Sequence, residues 1–449
     1  EEKEARREEM KKLMRDFHES YLQTARDYAE AGFYEEAVEV LEGCTKEWPM
    51  LFYYKGAYLL KLGKEAEAKE AFERAEAASP LYCFPNKLED IAVLETAIAE
   101  NPEGAKAYYY LGCLCYDKLQ FEKAAELWEK SIRLDDSYPT VHRNLALAYY
   151  NKQNDPERAK QELEKAFALD ETDARVLLEL DQLYKKLGMP FEKRLELYES
   201  HKDIITERDD VMLEYVTLYN LAGKPEKAYE IIMSHSFRPW EGAEGRISGQ
   251  YKIALLEMAK KDIAAGAYSE AEEKLEKALV YPENLGEGKL EGTKDNNLYY
   301  YLGLVKEALG KEGAEECFHL AELGDNEPAG AMYYYDQPAD MILYKGLAKQ
   351  KLGKTKEAHA CFNKLMDYGE RHLNDVVKND FFAVSLPDFL IFEDDMDKRN
   401  KAHCYYLMGL ANLGMGQKEK AVEEFDKALE YDFNHQNCRI YKELAKGEL

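Results

Sequence analysis

Hydrophobic residues recur along this chain at helical spacing, in short segments that come in pairs. The second segment of a pair is set at fixed distances from a small residue in the first. Gly56 is followed by Ala68 at +12, Phe72 at +16 and Pro80 at +24. This spacing predicts two amphipathic helices joined by a turn, with the small residue where the helices cross and proline at the end of the second helix.

The same spacing returns along the whole chain. Gly112 is followed by Ala124 at +12 and Trp128 at +16. Ten repeats can be placed by their small residue, at Ala25, Gly56, Gly112, Ala146, Asp181, Val216, Ala259, Gly303, Gly346 and Gly409. Asp181 and Val216 fit this position poorly, because neither is a small residue such as glycine or alanine. We expect the large residue at +16 to fill the gap between adjacent repeats.

This pattern resembles the tetratricopeptide repeat (TPR), a helix–turn–helix unit of about 34 residues. The resemblance implies an all-α fold: a right-handed TPR superhelix, or α-solenoid, of about ten helix–turn–helix repeats with inserted loops. Repeat proteins of this kind are binding scaffolds, so the resemblance implies a partner without naming it.

The intervals between repeats predict how the chain is divided. Residues 1–17 are expected to form a linker helix that continues without a break into the first repeat, as one helix over about 3–31. Residues 18–235 are a regular array with an inserted helix near 88–100. Residues 236–435 are an array with long insertions, and 436–449 form a capping helix with Ile440 and Leu444 facing inward.

Four insertions in the later repeats each follow a second helix and precede a first helix. They cover about 236–249, 283–295, 323–337 and 370–398. Equivalent connections of a solenoid stack along one edge, so we expect these four insertions to be neighbours in space.

The net charge narrows the class of partner. The net charge of −27 disfavours nucleic acid and anionic membrane surfaces, and favours a basic or neutral partner. No apolar run reaches the length that spans a bilayer.

Cys113 and Cys115 would point about 200° apart on a helix, so they cannot share a metal ion. Scattered cysteines predict reduced thiols and a cytoplasmic protein. No metal, cofactor or catalytic motif is recognisable, so we expect this chain not to be an enzyme.

The first two insertions carry the candidate chemistry. Both are rich in glycine and glutamate, and glycine lets a backbone turn tightly or approach a neighbour closely. They either fold against their own repeats or present tryptophan, amide and carboxylate groups to a sugar or a basic peptide. With a tyrosine cluster in the third insertion, the candidate partner-binding or ligand-binding residues are Trp240, Glu241, Glu244, Asn284, Glu287, Tyr333, Tyr334, Tyr335 and Asp336.

Two further aromatic features leave alternatives open. The run from Phe381 to Phe392 is too apolar for a solvated loop, so it is either buried locally or a docking patch for another domain. Tyrosines recur on the first helix of many repeats, as at Tyr53-Tyr54 and Tyr149-Tyr150. Neighbouring residues on a helix diverge by about 100°, so part of each cluster is core and part could line a groove.

The later half of the chain shows a closer resemblance. Residues 239–245 (PWEGAEG), 281–288 (YPENLGEG), 333–340 (YYYDQPAD) and 383–389 (AVSLPDF) resemble the C-terminal TPR region of large bacterial proteins. Those proteins carry an upstream domain of unknown function and a β-rich, mutarotase-like region. The resemblance implies a helical tail of a longer protein in carbohydrate metabolism. The chain is then either a scaffold that binds protein, peptide or the upstream domain, or an accessory domain whose loops complete a sugar site.

Overall fold

The computed structural model describes residues 2–240, 243–330, 337–377 and 391–447. The chain divides after Asp170 into two compact units, which we call the N-terminal unit and the C-terminal unit. The regular secondary structure of the described residues consists of 24 α-helices and one short 3-10 turn. The predicted all-α repeat fold is therefore confirmed.

The N-terminal unit contains four helix pairs and two additional helices. Its helices are α1 (Glu2–Met14), α2 (His18–Glu30), α3 (Tyr34–Leu41), α4 (Pro49–Lys61), α5 (Glu65–Ala77), α6 (Leu88–Glu100), α7 (Ala105–Asp117), α8 (Phe121–Leu134), α9 (Pro139–Asn151) and α10 (Pro156–Leu169). The pairs are α2/α3, α4/α5, α7/α8 and α9/α10, and the two helices of each pair pack against one another.

The C-terminal unit contains six helix pairs, a short helix and a last single helix. Its helices are α11 (Ala174–Lys186), α12 (Phe191–Ser200), α13 (Lys202–Ile205), α14 (Asp209–Leu221), α15 (Pro225–Ser234), α16 (Arg246–Ala264), α17 (Tyr268–Ala278), α18 (Asn296–Leu309), α19 (Ala314–Ala321), α20 (Ala339–Lys351), α21 (Thr355–His372), α22 (Met396–Gly414), α23 (Lys418–Tyr431) and α24 (Gln436–Lys446). The pairs are α11/α12, α14/α15, α16/α17, α18/α19, α20/α21 and α22/α23. With the four pairs of the N-terminal unit, they make the ten repeats expected from the spacing.

The aromatic residue at +16 packs first on the glycine of its own repeat. A Cβ atom built on Gly56 would lie 2.5 Å from the ring of Phe72. Phe362 also reaches the next repeat, because its ring lies against Gly414 as well as against Gly346. Phe362 therefore fills the gap between adjacent repeats, as expected for the residue at +16, and its ring also limits how far apart the helices cross within its own repeat.

The N-terminal helix is interrupted, contrary to the continuous helix predicted over 3–31. Helix α1 ends at Met14 and α2 begins at His18, with Arg15 and Asp16 at φ values of 53° and 52°. The Asp16 carboxylate accepts hydrogen bonds from the Thr45 backbone N–H at 2.7 Å and the Thr45 hydroxyl at 2.5 Å. Hydrophobic periodicity continued through 15–17, but this contact holds the backbone in a left-handed turn.

The inserted helix predicted near 88–100 is α6, and a buried carboxylate anchors it. Asp90 accepts a hydrogen bond from the Tyr54 hydroxyl at 2.6 Å and one from the Arg26 guanidinium at 3.2 Å. Its second oxygen accepts from the backbone N–H groups of Asn86 and Lys87, each at 2.9 Å. Asp90 is only 2% exposed, so its charge is compensated entirely by these partners.

The compact units divide after Asp170, whereas the boundary at 235/236, between a regular array and an array with insertions, stays a prediction. Asn434, just before α24, accepts a hydrogen bond from Arg194 of α12 at 2.9 Å and donates one to the Lys185 carbonyl of α11 at 3.1 Å. These contacts join α11 and α12 to the end of the chain, across more than 200 residues. Local insertion lengths could not reveal this long-range contact.

The capping helix predicted over 436–446 is α24, but a different face is buried. Cys438, Tyr441 and Ala445 are buried, whereas Ile440 and Leu444 are only partly covered. Helix α24 packs on α23 and directs Tyr441 toward Asp340 of α20, which decides the rotation of the helix.

Candidate functional site

The first two insertions fold against each other at the start of α16. The Phe237 backbone N–H donates to the Asn284 carbonyl at 2.8 Å. The side-chain amide of Asn284 donates to the carbonyls of Ile232 at 2.7 Å and His235 at 2.9 Å. These carbonyls belong to the C-terminal end of α15 and the residue that follows it, so Asn284 closes that helix end. We call this surface, residues 235–240 and 243–248 with 283–288, the Trp240 rim.

Glu287 holds the other side of the rim. Its carboxylate accepts hydrogen bonds from the backbone N–H groups of Gly245 at 2.8 Å and Ser248 at 3.1 Å. An acidic group at a helix N-terminus satisfies free N–H groups and is stabilised by the helix dipole. Gly286 has a φ of 72°, and a Cβ there would overlap the Phe237 carbonyl. The polar groups of Asn284 and Glu287 are thus engaged inside the rim, as in the folded-loop alternative.

Trp240 is the half-buried aromatic residue of this rim. It borders a small apolar pocket lined by Asp209, Leu213, Phe237, Pro239, Trp240, Ala243 and Ile247. Asp209 fixes the adjoining backbone by accepting from the Arg238 N–H at 2.7 Å and by pairing with the His235 ring at 2.7 Å. Glu244 lies exposed nearby, whereas Glu241 lies outside the described residues. The structure thus connects the segment of Trp240 to Asn284 through Phe237, and it connects Glu287 to Gly245, the residue after Glu244.

The third insertion is described only at its ends. Tyr333, Tyr334, Tyr335 and Asp336 lie outside the described residues. Gln337 forms two hydrogen bonds with the Asp325 backbone, each 2.8 Å long. The Ala329 carbonyl pairs with His403 Nε2 of α22 at 2.9 Å. A Cβ on Gly324 would lie 3.7 Å from the Lys294 side chain of the second insertion. The first insertion is thus hydrogen-bonded to the second, and Gly324 of the third lies near Lys294 of the second. That all four insertions share one edge stays a prediction.

Most of the fourth insertion, residues 378–390, also lies outside the described residues. Its last aromatic residue, Phe392, is 1% exposed. For this part of the apolar run, local burial describes the structure better than an exposed docking patch. The question stays open for Phe381 and the residues that follow it.

Many tyrosine hydroxyls on first helices are bonded within the fold. Tyr53 donates to Glu76 at 2.6 Å, and Tyr149 donates to Glu129 at 2.8 Å. In the same way, Tyr215 and Tyr219 both donate to the Glu199 carboxylate. Each glutamate lies on a second helix, so the tyrosine rows join neighbouring helices. The recurrence of tyrosine is therefore explained in large part by packing.

The largest polar feature that sequence reasoning missed is a buried ion pair in the C-terminal unit. Arg194 Nε and Nη2 each lie 2.7 Å from a different oxygen of Asp181. Both residues are 0% exposed. Burial raises the pKa of the Asp181 carboxyl, and the Arg194 guanidinium opposes that rise. The signal available in the sequence was an acid at the small-residue position followed by arginine at +13.

The described residues include no cluster of three or more histidine, cysteine, aspartate or glutamate side chains that could hold a metal ion. All eight cysteines are free thiols. Burial raises the pKa of Cys404 and of Cys438 to about 12, so these sulfurs stay protonated and unreactive at neutral pH. Among the helices of the described ranges, none combines the length and the apolar character that crossing a bilayer requires.

Comparisons with solved structures give similarities at low sequence identity. The chain is similar to YrrB, described as a TPR protein with an unusual peptide-binding site, at 19% identity and a TM-score of 0.30, over 51% of this chain and 97% of that one. It is similar to MamA from Desulfovibrio magneticus RS-1 at 18% identity and a TM-score of 0.26, over 43% and 97%. It is similar to the structure of Naa15/Naa10 bound to HypK at 13% identity and a TM-score of 0.33, over 96% of this chain and 61% of that one.

Family models identify the repeats directly. Models described as TPR repeat or tetratricopeptide repeat match residues 22–82, 114–153, 143–173 and 402–435. The matched residues fall on helix pairs that the structure shows, from α2 to α5, from the end of α7 to α10, and in α22 and α23. The chain therefore contains tetratricopeptide repeats in both of its compact units, and its fold is an all-α TPR solenoid.

Proposed function

We propose that this chain is a TPR interaction scaffold that binds a protein partner through the Trp240 rim. The observation that carries the proposal is the half-buried Trp240, which borders an apolar pocket on a backbone fixed by Asn284 and Glu287. A tryptophan held in place before binding loses little conformational freedom when a partner covers it. Tryptophan is also among the residues that most often dominate the binding energy of an interface.

The electrostatics of the rim favour a basic or neutral partner. Glu244 is exposed and directly follows Ala243, which lines the pocket of Trp240, and the chain as a whole carries a net charge of −27. Surface charges of this sign accelerate encounter with a basic surface and discourage acidic ones. The partner class is therefore a protein segment or domain with an apolar side chain next to a lysine or arginine.

The resemblance of the later insertions to the tail of large bacterial proteins suggests where the partner comes from. We infer that the chain is the C-terminal part of a longer, cytoplasmic bacterial protein and that the rim contacts an upstream domain of that protein. The chain itself then carries out no reaction and positions a domain that does.

The test is isothermal titration of this chain with the polypeptide encoded immediately upstream of it, expressed separately. Trp240→Ala should weaken binding at least tenfold, and Glu241→Gln should weaken it less. Trp48→Ala is the matched control, because Trp48 is also half-buried but stacks on His18 in the N-terminal unit. Equal affinity of the wild type and Trp240→Ala would reject the rim as the partner-binding site. The absence of binding at high micromolar concentration would reject the upstream domain as the partner.

A sugar is the second candidate ligand, favoured by one observation. The partly exposed indole of Trp240 lines a pocket together with the Asp209 carboxylate, an arrangement that can stack on a sugar ring and accept its hydroxyl hydrogen bonds. In this case the rim completes a carbohydrate site of an adjoining domain. Titration with mono- and disaccharides should change the tryptophan fluorescence of the wild type, and Trp240→Phe should abolish the change. If the signal persists in Trp240→Phe, the sugar does not bind at this rim.

A further inference from the structure

The connection between α5 and α6 exposes more apolar surface than a solvated turn needs. We call residues 79–88, which end with the first residue of α6, the Tyr82 turn. Four of its side chains are large, apolar and mostly exposed, namely Leu81 at 60%, Tyr82 at 79%, Phe84 at 69% and Leu88 at 69%. Residues 78–86 carry no charged side chain, although 33% of the chain is charged. Exposed apolar patches of several hundred Å² are uncommon on monomers and mark interaction sites.

The Tyr82 turn is held in one conformation by buried residues. Cys83 is 2% exposed and Pro85 is buried, so inward residues alternate with the outward Tyr82 and Phe84. The Asp90 carboxylate fixes the end of the turn by accepting from two of its backbone N–H groups, each at 2.9 Å. Tyr82 has a φ of 60°, a left-handed conformation that residues with bulky side chains rarely adopt. The aromatic side chains are thus fixed before a partner arrives, which reduces the entropy lost on binding.

A shallow pocket opens beside Phe84. Its apolar walls include Leu22 and Met50, and Phe84 forms one side. The pocket admits a group about the size of one water molecule, so an incoming side chain can place only its end there. Phe84 is two residues from Tyr82, which puts their Cα atoms within about 7 Å of each other. The exposed aromatic side chains and the pocket therefore share one surface.

Arg26 supplies the polar donor of the pocket. Its Nε donates to the Tyr54 hydroxyl at 3.0 Å, and its Nη2 donates to Asp90 at 3.2 Å. Its Nη1 has no hydrogen-bond partner among the described residues and is not fully shielded from solvent. Because Arg26 is only 7% exposed and lines the pocket, Nη1 is the donor that the pocket offers. A largely buried donor without a partner is costly, so an oxygen acceptor placed here is stabilising.

The charges around the pocket select a neutral acceptor. Glu19 and Asp90 also line it, so two carboxylates already accompany the single guanidinium. A third carboxylate, from an acidic ligand, would be repelled. A phenol hydroxyl is neutral at pH 7 and can accept a hydrogen bond while its ring stays on apolar surface, as Tyr54 does at Arg26. Of the four exposed side chains of the Tyr82 turn, only Tyr82 carries such a hydroxyl.

We propose that the Tyr82 turn is a self-association surface, on which a second copy of this chain places its Tyr82 hydroxyl against Arg26 Nη1. Because the turn and the pocket are adjacent, a twofold axis lets each copy insert into the other, as in an isologous dimer. At about 200 Å² for an aromatic side chain, Tyr82 and Phe84 of two copies remove roughly 600 Å² from water. The leucines of the turn bring the total toward the lower limit of specific interfaces, about 1,000 Å², so we expect a weak dimer of micromolar affinity.

The net charge predicts how this dimer responds to salt. Two copies of charge −27 repel each other at low ionic strength, whereas the Tyr82 turn between them is uncharged from residue 78 to residue 86. Salt screens the repulsion, so the affinity should rise at least threefold between about 50 and about 500 mM sodium chloride. A fall in affinity would overturn the proposal, because it would show an interface built from ion pairs. The proposal does not rest on the Trp240 rim.

Sedimentation velocity of the full chain from about 1 to about 200 μM measures the dimer. Tyr82→Phe keeps the ring and removes the hydroxyl, so it should weaken dimerisation at least fivefold. Tyr82→Ser removes both and should leave a monomer over this range. Leu119→Ser is the matched control, because Leu119 is 73% exposed in the same unit and also has a left-handed φ, of 61°. This control should dimerise like the wild type.

A photo-crosslink identifies the contact surface. An isotopically labelled chain with p-benzoylphenylalanine in place of Tyr82, mixed with unlabelled chain, should crosslink to Met50 or Leu22 of the unlabelled copy. The proposal is overturned if the wild type is monomeric at about 200 μM, if Tyr82→Ser dimerises like the wild type, or if the crosslinks map to another surface. A Tyr82→Phe dimer as tight as the wild-type dimer overturns the bond to Arg26.

Discussion

The ring of Phe72 occupies the space that any side chain larger than hydrogen at Gly56 would need, since a Cβ there would lie 2.5 Å from Phe72 Cε1. Glycine within a helix normally costs about 1 kcal/mol relative to alanine. At Gly56 we expect alanine to be less stable than glycine, because the Phe72 ring is buried at 1% exposure and lies within 2.8 Å of the added Cβ at three of its atoms.

Gly56→Ala should therefore lower the free energy of unfolding by about 1–3 kcal/mol through overpacking. Gly249 is the matched control, because it also lies in a helix and a Cβ there meets no atom within 4 Å. Gly249→Ala should leave stability unchanged or raise it by up to about 1 kcal/mol. Urea unfolding followed by circular dichroism measures both changes. Equal effects of the two substitutions would contradict the role of the aromatic contact.

Phe425 provides the complementary test in the last repeat. Its ring is completely buried and lies against Gly409. Phe425→Ala should cost about 3–5 kcal/mol, because the cavity adds to the lost transfer free energy. Phe84→Ala, at a phenylalanine that is 69% exposed, should cost less than about 1 kcal/mol. Similar unfolding midpoints for the two variants would show that the repeats are placed wrongly on the sequence.

The buried pair of Asp181 and Arg194 should be much more sensitive to the loss of one partner than to the loss of both. Asp181→Ala removes the two-oxygen partner of a buried guanidinium and leaves only the Glu214 carboxylate, 3.7 Å away, so it should cost about 3–5 kcal/mol. The double replacement Asp181→Leu/Arg194→Met should recover most of that loss. At the exposed pair of Arg74 and Glu47, Glu47→Ala should change stability by less than about 1 kcal/mol. A double variant as unstable as Asp181→Ala would argue against this account.

His403 should make the protein less stable in acid. Burial lowers the pKa of His403 to about 4, from an ordinary value of 6.5. As the pH falls from 6.5 toward 4, the unfolded chain takes up a proton at this residue and the folded chain does not, so the folded state loses stability. Below about pH 4 both states are protonated and the contribution stops changing.

The measurement is urea unfolding at pH 7 and pH 4.5. His403→Gln should lose less stability between these two values than the wild type, by up to about 3 kcal/mol, because each unit of pKa shift corresponds to about 1.4 kcal/mol. A wild type and a His403→Gln variant with the same acid sensitivity would contradict the prediction.

Substitutions at two residues of the Trp240 rim test which of them stabilises the fold. Glu287→Ala removes the acceptor for two N–H groups at the start of α16 and should cost about 0.5–2 kcal/mol of stability. Trp240→Ala should cost less than the loss of a core aromatic residue, because Trp240 is only half-buried. Thermal unfolding of the two variants, with Phe425→Ala for comparison, measures how much stability each substitution removes. If Trp240→Ala is as destabilising as Phe425→Ala, Trp240 is a core residue and the rim loses its exposed anchor.

Much of the fold could be predicted because the determining contacts are local. The glycine and the aromatic residue at +16 meet within one helix pair, so their spacing along the sequence is enough to place a repeat. The inserted helix over Leu88–Glu100 and the last helix over Gln436–Lys446 were predicted from periodicity alone. Periodicity did not reveal the interruption at Asp16, because the contact that stabilises it comes from Thr45.

The candidate site was harder to predict, because the same polar residue can serve the fold or a ligand. The composition of the insertions indicated a surface built from tryptophan, glycine and carboxylates, and the rim contains these residues. The tertiary structure decided that Asn284 and Glu287 bond to backbone groups of α15 and α16. It left Trp240 beside a pocket, and ligand binding by Trp240, Glu241 and Glu244 stays a prediction.

The sequence by itself determined the helix pairs, their order and the positions of the insertions, because these depend on spacings within one repeat. The tertiary structure decided which distant residues meet, as when Asn434 bonds to Arg194 across 240 residues and Tyr441 bonds to Asp340 across 101. The physical reason is that residues more than 100 positions apart cannot be brought together by a spacing within one repeat. The surface that α24 meets depends on how the helix pairs of the C-terminal unit pack on one another.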